Sequence, residues 1–192
     1  MKRKRVGVLI SGRGSNMAAL VEAARDPAYP TEVVCVVSNR PDAAGLEFAR
    51  SRNISTHVID HKRYSTRESF DSALNDYLQS QNLRLITCAG FMRIMTSVLL
   101  EPWAGKMINI HPSLLPLYKG THTHERALAD GVKIHGCSVH YVTAELDGGP
   151  VIAQAEVTVL PGDTPETLSA RVLVEEHMLY PKALAMVASK LT

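Results

Sequence analysis

Cysteine, aromatic residues and long apolar runs are all scarce in this chain of 192 residues. Its three cysteines, Cys35, Cys88 and Cys137, lie in apolar surroundings at spacings that match no metal-ligand motif. They read as small, reduced core residues of a cytoplasmic protein and give no support to a disulfide framework or a zinc site. Aromatics make up 5% of the residues and form no stripe interleaved with basic side chains, so no nucleic-acid surface is expected. The apolar run Val6–Ile10 is far too short to span a membrane. Ser11-Gly12-Arg13-Gly14 interrupts it before a signal-peptide core forms.

What is present suits a folded domain. The hydrophobic fraction of 45% and charged fraction of 21% fit a single domain over 1–192 with a core of its own. The formal net charge of +2 comes from the terminal run Lys2-Arg3-Lys4-Arg5, without which 17 cationic residues face 19 acidic ones. Residues 1–5 are therefore expected to be a basic extension ahead of the fold, and the basicity does not belong to its body.

Periodicity predicts alternating strands and helices. Val6–Ile10 reads as a buried strand, followed by a glycine-rich turn, a helix from Ser15 ending before Pro27, and a β-branched strand over Glu32–Ser38. The form continues with a helix over Asp42–Arg50, a strand over His57–Asp60, a helix over Thr66–Gln79 and a strand over Arg84–Cys88. A short helix at Thr96–Leu100 leads to a strand at Met107–Ile110. Uniformly apolar strands joined through helices imply an α/β, mostly parallel, Rossmann-like sheet with helices on both faces.

After a helix at Thr123–Ala129, the runs Ile134–Val142 and Pro150–Leu160 are joined through Asp147-Gly148-Gly149. That connection predicts a hairpin, hence an antiparallel strand near the carboxyl terminus. Thr164 and Pro165 match the start of a last helix, with a bend expected at Pro181.

Chemistry concentrates at Asn109-Ile110-His111-Pro112. Strand alternation sends Asn109 and His111 to one face, at a carboxyl end just ahead of a proline-stiffened turn. An imidazole exchanges protons near neutral pH, and an amide donates to a developing oxyanion. Asp147 is a candidate third member. The alternative is that His111 only closes a polar turn.

Ser11-Gly12-Arg13-Gly14-Ser15-Asn16 lacks the Gly-Lys-Ser/Thr ending of a P-loop, and Met17 stands where a dinucleotide motif has its third glycine. It suits a nest of backbone donors for one phosphate, or a plain tight turn. His122 and His124 alternate near a helix start without a cysteine or carboxylate at metal-site spacing. His140 either lines the cleft with Asp147 or is a satisfied structural histidine. His177 reads as a surface or capping residue.

Four segments together resemble the formyltetrahydrofolate-dependent formyltransferases. They are Ile10–Asn16, Ala89-Gly90-Phe91-Met92-Arg93-Ile94, Asn109–Pro116, and Gly136–His140 through Leu146–Gly149. The resemblance extends from about Val6 into the last helix and is nearest to the branch that formylates glycinamide ribonucleotide in purine synthesis. It implies that Asn109, His111 and Asp147 are catalytic, and that Gly14, Ser15 and Asn16 hold the substrate phosphate, with Gly90 and Glu176 on the ribonucleotide.

On the same basis 10-formyltetrahydrofolate, as cosubstrate and without a metal, meets Met92, Arg93, Ile94, Met95, Asn109 and the loop Thr143, Ala144, Glu145, Leu146 and Asp147. Arg67 reaches its glutamate end. Ala144 departs from the family, where the position is commonly acidic. Family members imply a monomer or weak homodimer and a flexible loop over 116–123. Relatives acting on tRNA or as deformylases carry additional domains, so this length is expected of a free-standing enzyme. Three alternatives remain: a 10-formyltetrahydrofolate hydrolase, a sugar-nucleotide N-formyltransferase, and a non-catalytic α/β module that binds phosphorylated metabolites.

Overall fold

The computed structural model describes residues 3–191. Its strands are β1 (Lys4–Ile10), β2 (Thr31–Ser38), β3 (Ser55–Val58), β4 (Leu85–Cys88), β5 (Met107–His111), β6 (Ile134–Tyr141) and β7 (Val151–Thr158). The helices are α1 (Ser15–Ala23), α2 (Gly45–Ser51), α3 (Arg67–Ser80), α4 (Ser97–Leu100), α5 (Thr123–Ala129) and α6 (Pro165–Lys190), with a 3₁₀ turn at His61–Arg63. The strands form one seven-stranded sheet in the order β3-β2-β1-β4-β5-β6-β7. All neighbouring pairs through β5 are parallel, whereas β6 runs against both β5 and β7. This is the expected Rossmann-like sheet with one reversed strand. The chain changes direction across the sheet between β1 and β4, where open α/β sheets place their ligands.

Alternation along β1 divides the core. Val6, Val8 and Ile10 face α1, α2 and α6, while Leu9 faces α3 and α4 together with Phe70, Leu74, Leu78, Leu99 and Trp103. Phe70 is 1% exposed, and truncating such a ring to alanine costs about 3–5 kcal/mol. The side chains of Thr66 and Ser69 cap α3 reciprocally. Thr164 and Thr167 do the same for α6, with Pro165 in its first turn as the sequence implied. α6 is continuous across Pro181, whose carbonyl accepts a hydrogen bond from the Tyr29 hydroxyl at 2.6 Å.

Several boundaries differ from expectation. The basic run is not a free extension: Lys4 and Arg5 pair with Thr31 and Glu32 in the sheet, and the Arg3 guanidinium donates to the Ala24 and Thr31 carbonyls. The sheet's need for backbone partners, ahead of the first apolar residue Val6, recruits them. Met1 and Lys2 lie outside the described residues. α2 starts at Gly45, later than expected, because Gly45 packs its bare Cα against the glycine turn and donates its N–H to the Gly12 carbonyl. β3 starts at Ser55, two residues before its expected start at His57. The three cysteines are buried free thiols, and burial pushes Cys35 up to about 11 and Cys88 and Cys137 to about 12. Among the described residues, no helix is long and apolar enough to cross a membrane. The Leu115–Pro116 peptide bond is cis.

Candidate active site

The turn after β1 and the segment after β4 lie at the carboxyl ends of adjacent strands, and a cavity of about 540 Å³ opens between them. Its lining includes Gly12, Gly14, Ser15 and Asn16 on one side and Ala89, Gly90 and Met92 on the other. Gly14 caps α1 at φ 72°, and a Cβ there would stand 3.1 Å from the Gly45 Cα, so backbone conformation and close approach both require glycine. The first intrahelical bond runs from Ala18 N to Gly14 O, which leaves the amides of Ser15, Asn16 and Met17 without helical acceptors. Such a helix start suits an anion.

Asn16 connects this turn to α6 by donating to Glu176 Oε2 at 2.7 Å. Burial raises the Glu176 pKa, and the Asn16 hydrogen bond pulls it the other way. Asn16 Oδ1 and Arg93 Nε are buried without partners, and both residues line the cavity, so a polar ligand would satisfy them. Ser11 stiffens the base. Its hydroxyl donates to Asn39 Oδ1 at 2.6 Å and accepts from Met92 N at 2.8 Å.

A second, smaller cavity of about 130 Å³ shares Arg93 with the first. Phe91, Ile94, Met95, Leu100 and Val142 supply apolar walls, Thr143–Asp147 form its loop, and Asn109, His140 and Asp147 supply polar atoms. That combination suits a flat heteroaromatic ring with polar edges.

The third element is the end of β5. Asn109 and His111 share a face, and antiparallel pairing places His140 opposite Asn109 and Ser138 opposite His111. Asp147 arrives from the β6–β7 connection at φ 49°. Gly149 makes that connection possible, since a Cβ there would stand 1.8 Å from the Tyr141 carbonyl oxygen.

Asp147 Oδ2 lies 3.4 Å from His111 Nδ1, with the two side chains 9% and 7% exposed. His111 Nε2 donates to the Tyr118 carbonyl at 2.9 Å, and the Gly120 N–H donates to Asp147 Oδ2 at 2.8 Å. Both ring nitrogens therefore face oxygen atoms. Asn109 Nδ2 lies 3.2 Å from His140 Nε2.

Asp147 approaches both His111 and the His140 that faces Asn109, while Gly14–Asn16 and Gly90 line the first cavity and Glu176 stands behind Asn16, which donates to it. Two candidates fall elsewhere. Met92 is 75% exposed and lines the first cavity, whereas Arg93, Ile94 and Met95 line the second. Arg67 is exposed in the first turn of α3. Ala144 lines the second cavity with a methyl group.

His122 pairs with Glu125 at 3.4 Å, and His124 Nδ1 instead meets His135 Nε2 at 3.2 Å. Among the described residues, no cluster of three or more His, Cys, Asp and Glu side chains is arranged to hold a metal ion. His177 sits against the fold with a buried, unpartnered Nε2 and is not a simple surface residue. Sequence reasoning left out Ser11, Asn39 and His61 around the first cavity. Only Ser11, inside a motif, carried a signal.

Residues 4–184 match the formyl transferase family. The phosphoribosylglycinamide formyltransferase of Escherichia coli (strain K12) is 45% identical over 181 residues, 94% of this chain and 85% of that protein. The crystal structure of phosphoribosylglycinamide formyltransferase from Brucella melitensis superposes with a TM-score of 0.94 at 47% identity, covering 100% of this chain and 98% of that one. The trifunctional purine biosynthetic protein adenosine-3 of Bos taurus is 47% identical over 188 residues. There the chain covers 98% of its own length but spans only 19% of the larger protein.

Proposed function

The chain belongs to the formyl transferase family, and from that premise we propose that it moves the formyl group of 10-formyltetrahydrofolate to the amine of 5-phosphoribosylglycinamide in purine biosynthesis. The observation that carries this reading is that Asn109 and Asp147 line an apolar-walled cavity, with His111 against Asp147 behind it, adjoining a backbone-built anion site. The second substrate's phosphate sits on the amides at the start of α1, and its ribonucleotide lies toward Gly90 and Glu176. The pterin occupies the cavity formed by Arg93–Met95 and Thr143–Asp147.

The neutral amine attacks the formyl carbon, and a negative charge develops on the formyl oxygen. His111 Nε2 and the Asn109 amide donate to that oxygen. The Tyr118 carbonyl, 2.9 Å from His111 Nε2, occupies the kind of position the oxyanion takes and gives way to it. Asp147 favours positive charge on the ring and relays the proton leaving the amine to the folate nitrogen, whose bond to the formyl carbon breaks. An absorbance assay of deformylated folate, run with and without glycinamide ribonucleotide, tests the reaction. Product is expected only with the amine. Equal product without it would establish a hydrolase instead.

A further inference from the structure

His140 faces Asn109 across the β5–β6 pair and is 2% exposed. Its Nδ1 lies 2.9 Å from the Tyr141 carbonyl oxygen, which only accepts, so Nδ1 carries a hydrogen. In the neutral ring Nε2 is then an acceptor, and the group 3.2 Å away is the Asn109 amide nitrogen. The amide orientation follows. A carbonyl oxygen turned toward Nε2 would set two lone pairs against each other, whereas the –NH₂ end satisfies the ring and keeps a second hydrogen on the same nitrogen. Burial lowers the His140 pKa and keeps the ring neutral, although Asp147 Oδ1 lies 3.7 Å from Nε2.

Resting on the oxyanion role given above to Asn109, we propose that His140 is a positioning residue. Its Tyr141-anchored tautomer fixes which end of the Asn109 amide points at the reacting formyl group. His140 touches no reacting atom in this scheme. Its influence passes through one hydrogen bond, so its effect on turnover exists only while Asn109 is present.

Two substitutions separate the two halves of the contact. His140→Asn keeps a donor where Nδ1 meets Tyr141 but is too short to reach Asn109. His140→Gln places an amide oxygen near the position of Nε2. Turnover and KM for both substrates are measured for each variant, alone and with Asn109→Ala, after circular dichroism shows native folding.

The expected result is a fall in kcat of about tenfold for His140→Asn, with KM within about twofold, the size of one misdirected hydrogen bond. His140→Gln returns kcat to within about threefold of wild type, and neither change matters by more than about twofold once Asn109 is alanine. Equal losses in the two backgrounds, or no rescue by glutamine, would overturn the role of His140. Undiminished turnover of Asn109→Ala alone would instead overturn the oxyanion reading beneath it.

Discussion

The two cavities are built from different materials. Around the turn after β1 stand main-chain amides at a helix start, a glycine at positive φ and a close backbone approach. At the end of β5 stand side chains that ionise or donate, held in register by the reversed strand β6 and the connection after it. On the proposed function, the first arrangement binds charge without changing protonation and the second carries the proton chemistry. Parallel strands ending beside helix starts supply anion sites naturally, whereas opposing three polar side chains requires the antiparallel pair appended to the sheet.

This contrast predicts different sensitivities. The largest effect is expected for Asp147→Asn, which keeps shape and removes charge: kcat falls about a hundredfold or more with the fold intact. A fall of less than threefold would make the β5 end no more than a binding wall.

Gly14→Ala comes next. The new Cβ meets Gly45 Cα at 3.1 Å on backbone at φ 72°. The strain of about 1–3 kcal/mol is expected to raise KM for the phosphorylated amine about tenfold while kcat stays within about threefold. A matching loss of kcat with KM unchanged would erase the distinction between the cavities.

Ser15→Ala removes a hydroxyl but not the amide, so KM should rise only about two- to fivefold. Substrate lacking the phosphate, titrated against wild type, should bind far more weakly than the phosphorylated form. Equal affinities would take the anion away from the α1 turn.

The smallest effect concerns acid stability near the β5 side. Burial, first of all, and then the neighbouring His124 hold His135 down at about 4. An unfolded histidine titrates near 6.5, so between about pH 6.5 and 4 the unfolded chain binds more protons and stability falls as pH falls. Melting temperature should drop through that window, and His135→Phe should flatten the slope. An unchanged slope would show that other groups set it.

Much of this was legible before the structure. β1, the glycine turn, the Asn109-His111 pair, the hairpin and the capped start of α6 announce themselves through alternation, turn residues and caps, all local signals. What escaped is long-range. Alternation puts Asn109 and His111 on one face but does not say that β6 brings His140 opposite Asn109, because register depends on pairing between distant segments. Met92 followed the motif into the pterin group, yet the turn after β4 sends it to the other cavity. The late start of α2 reflects a Gly14–Gly45 approach that no local pattern encodes.

The most direct test of the central claim compares wild type with His111→Ala at saturating glycinamide ribonucleotide and 10-formyltetrahydrofolate, with folate affinity measured separately by titration. The expected result is turnover at least about a hundredfold lower with affinity within about twofold, since a lost oxyanion donor acts on the transition state alone. A folded variant that turns over at the wild-type rate would contradict it.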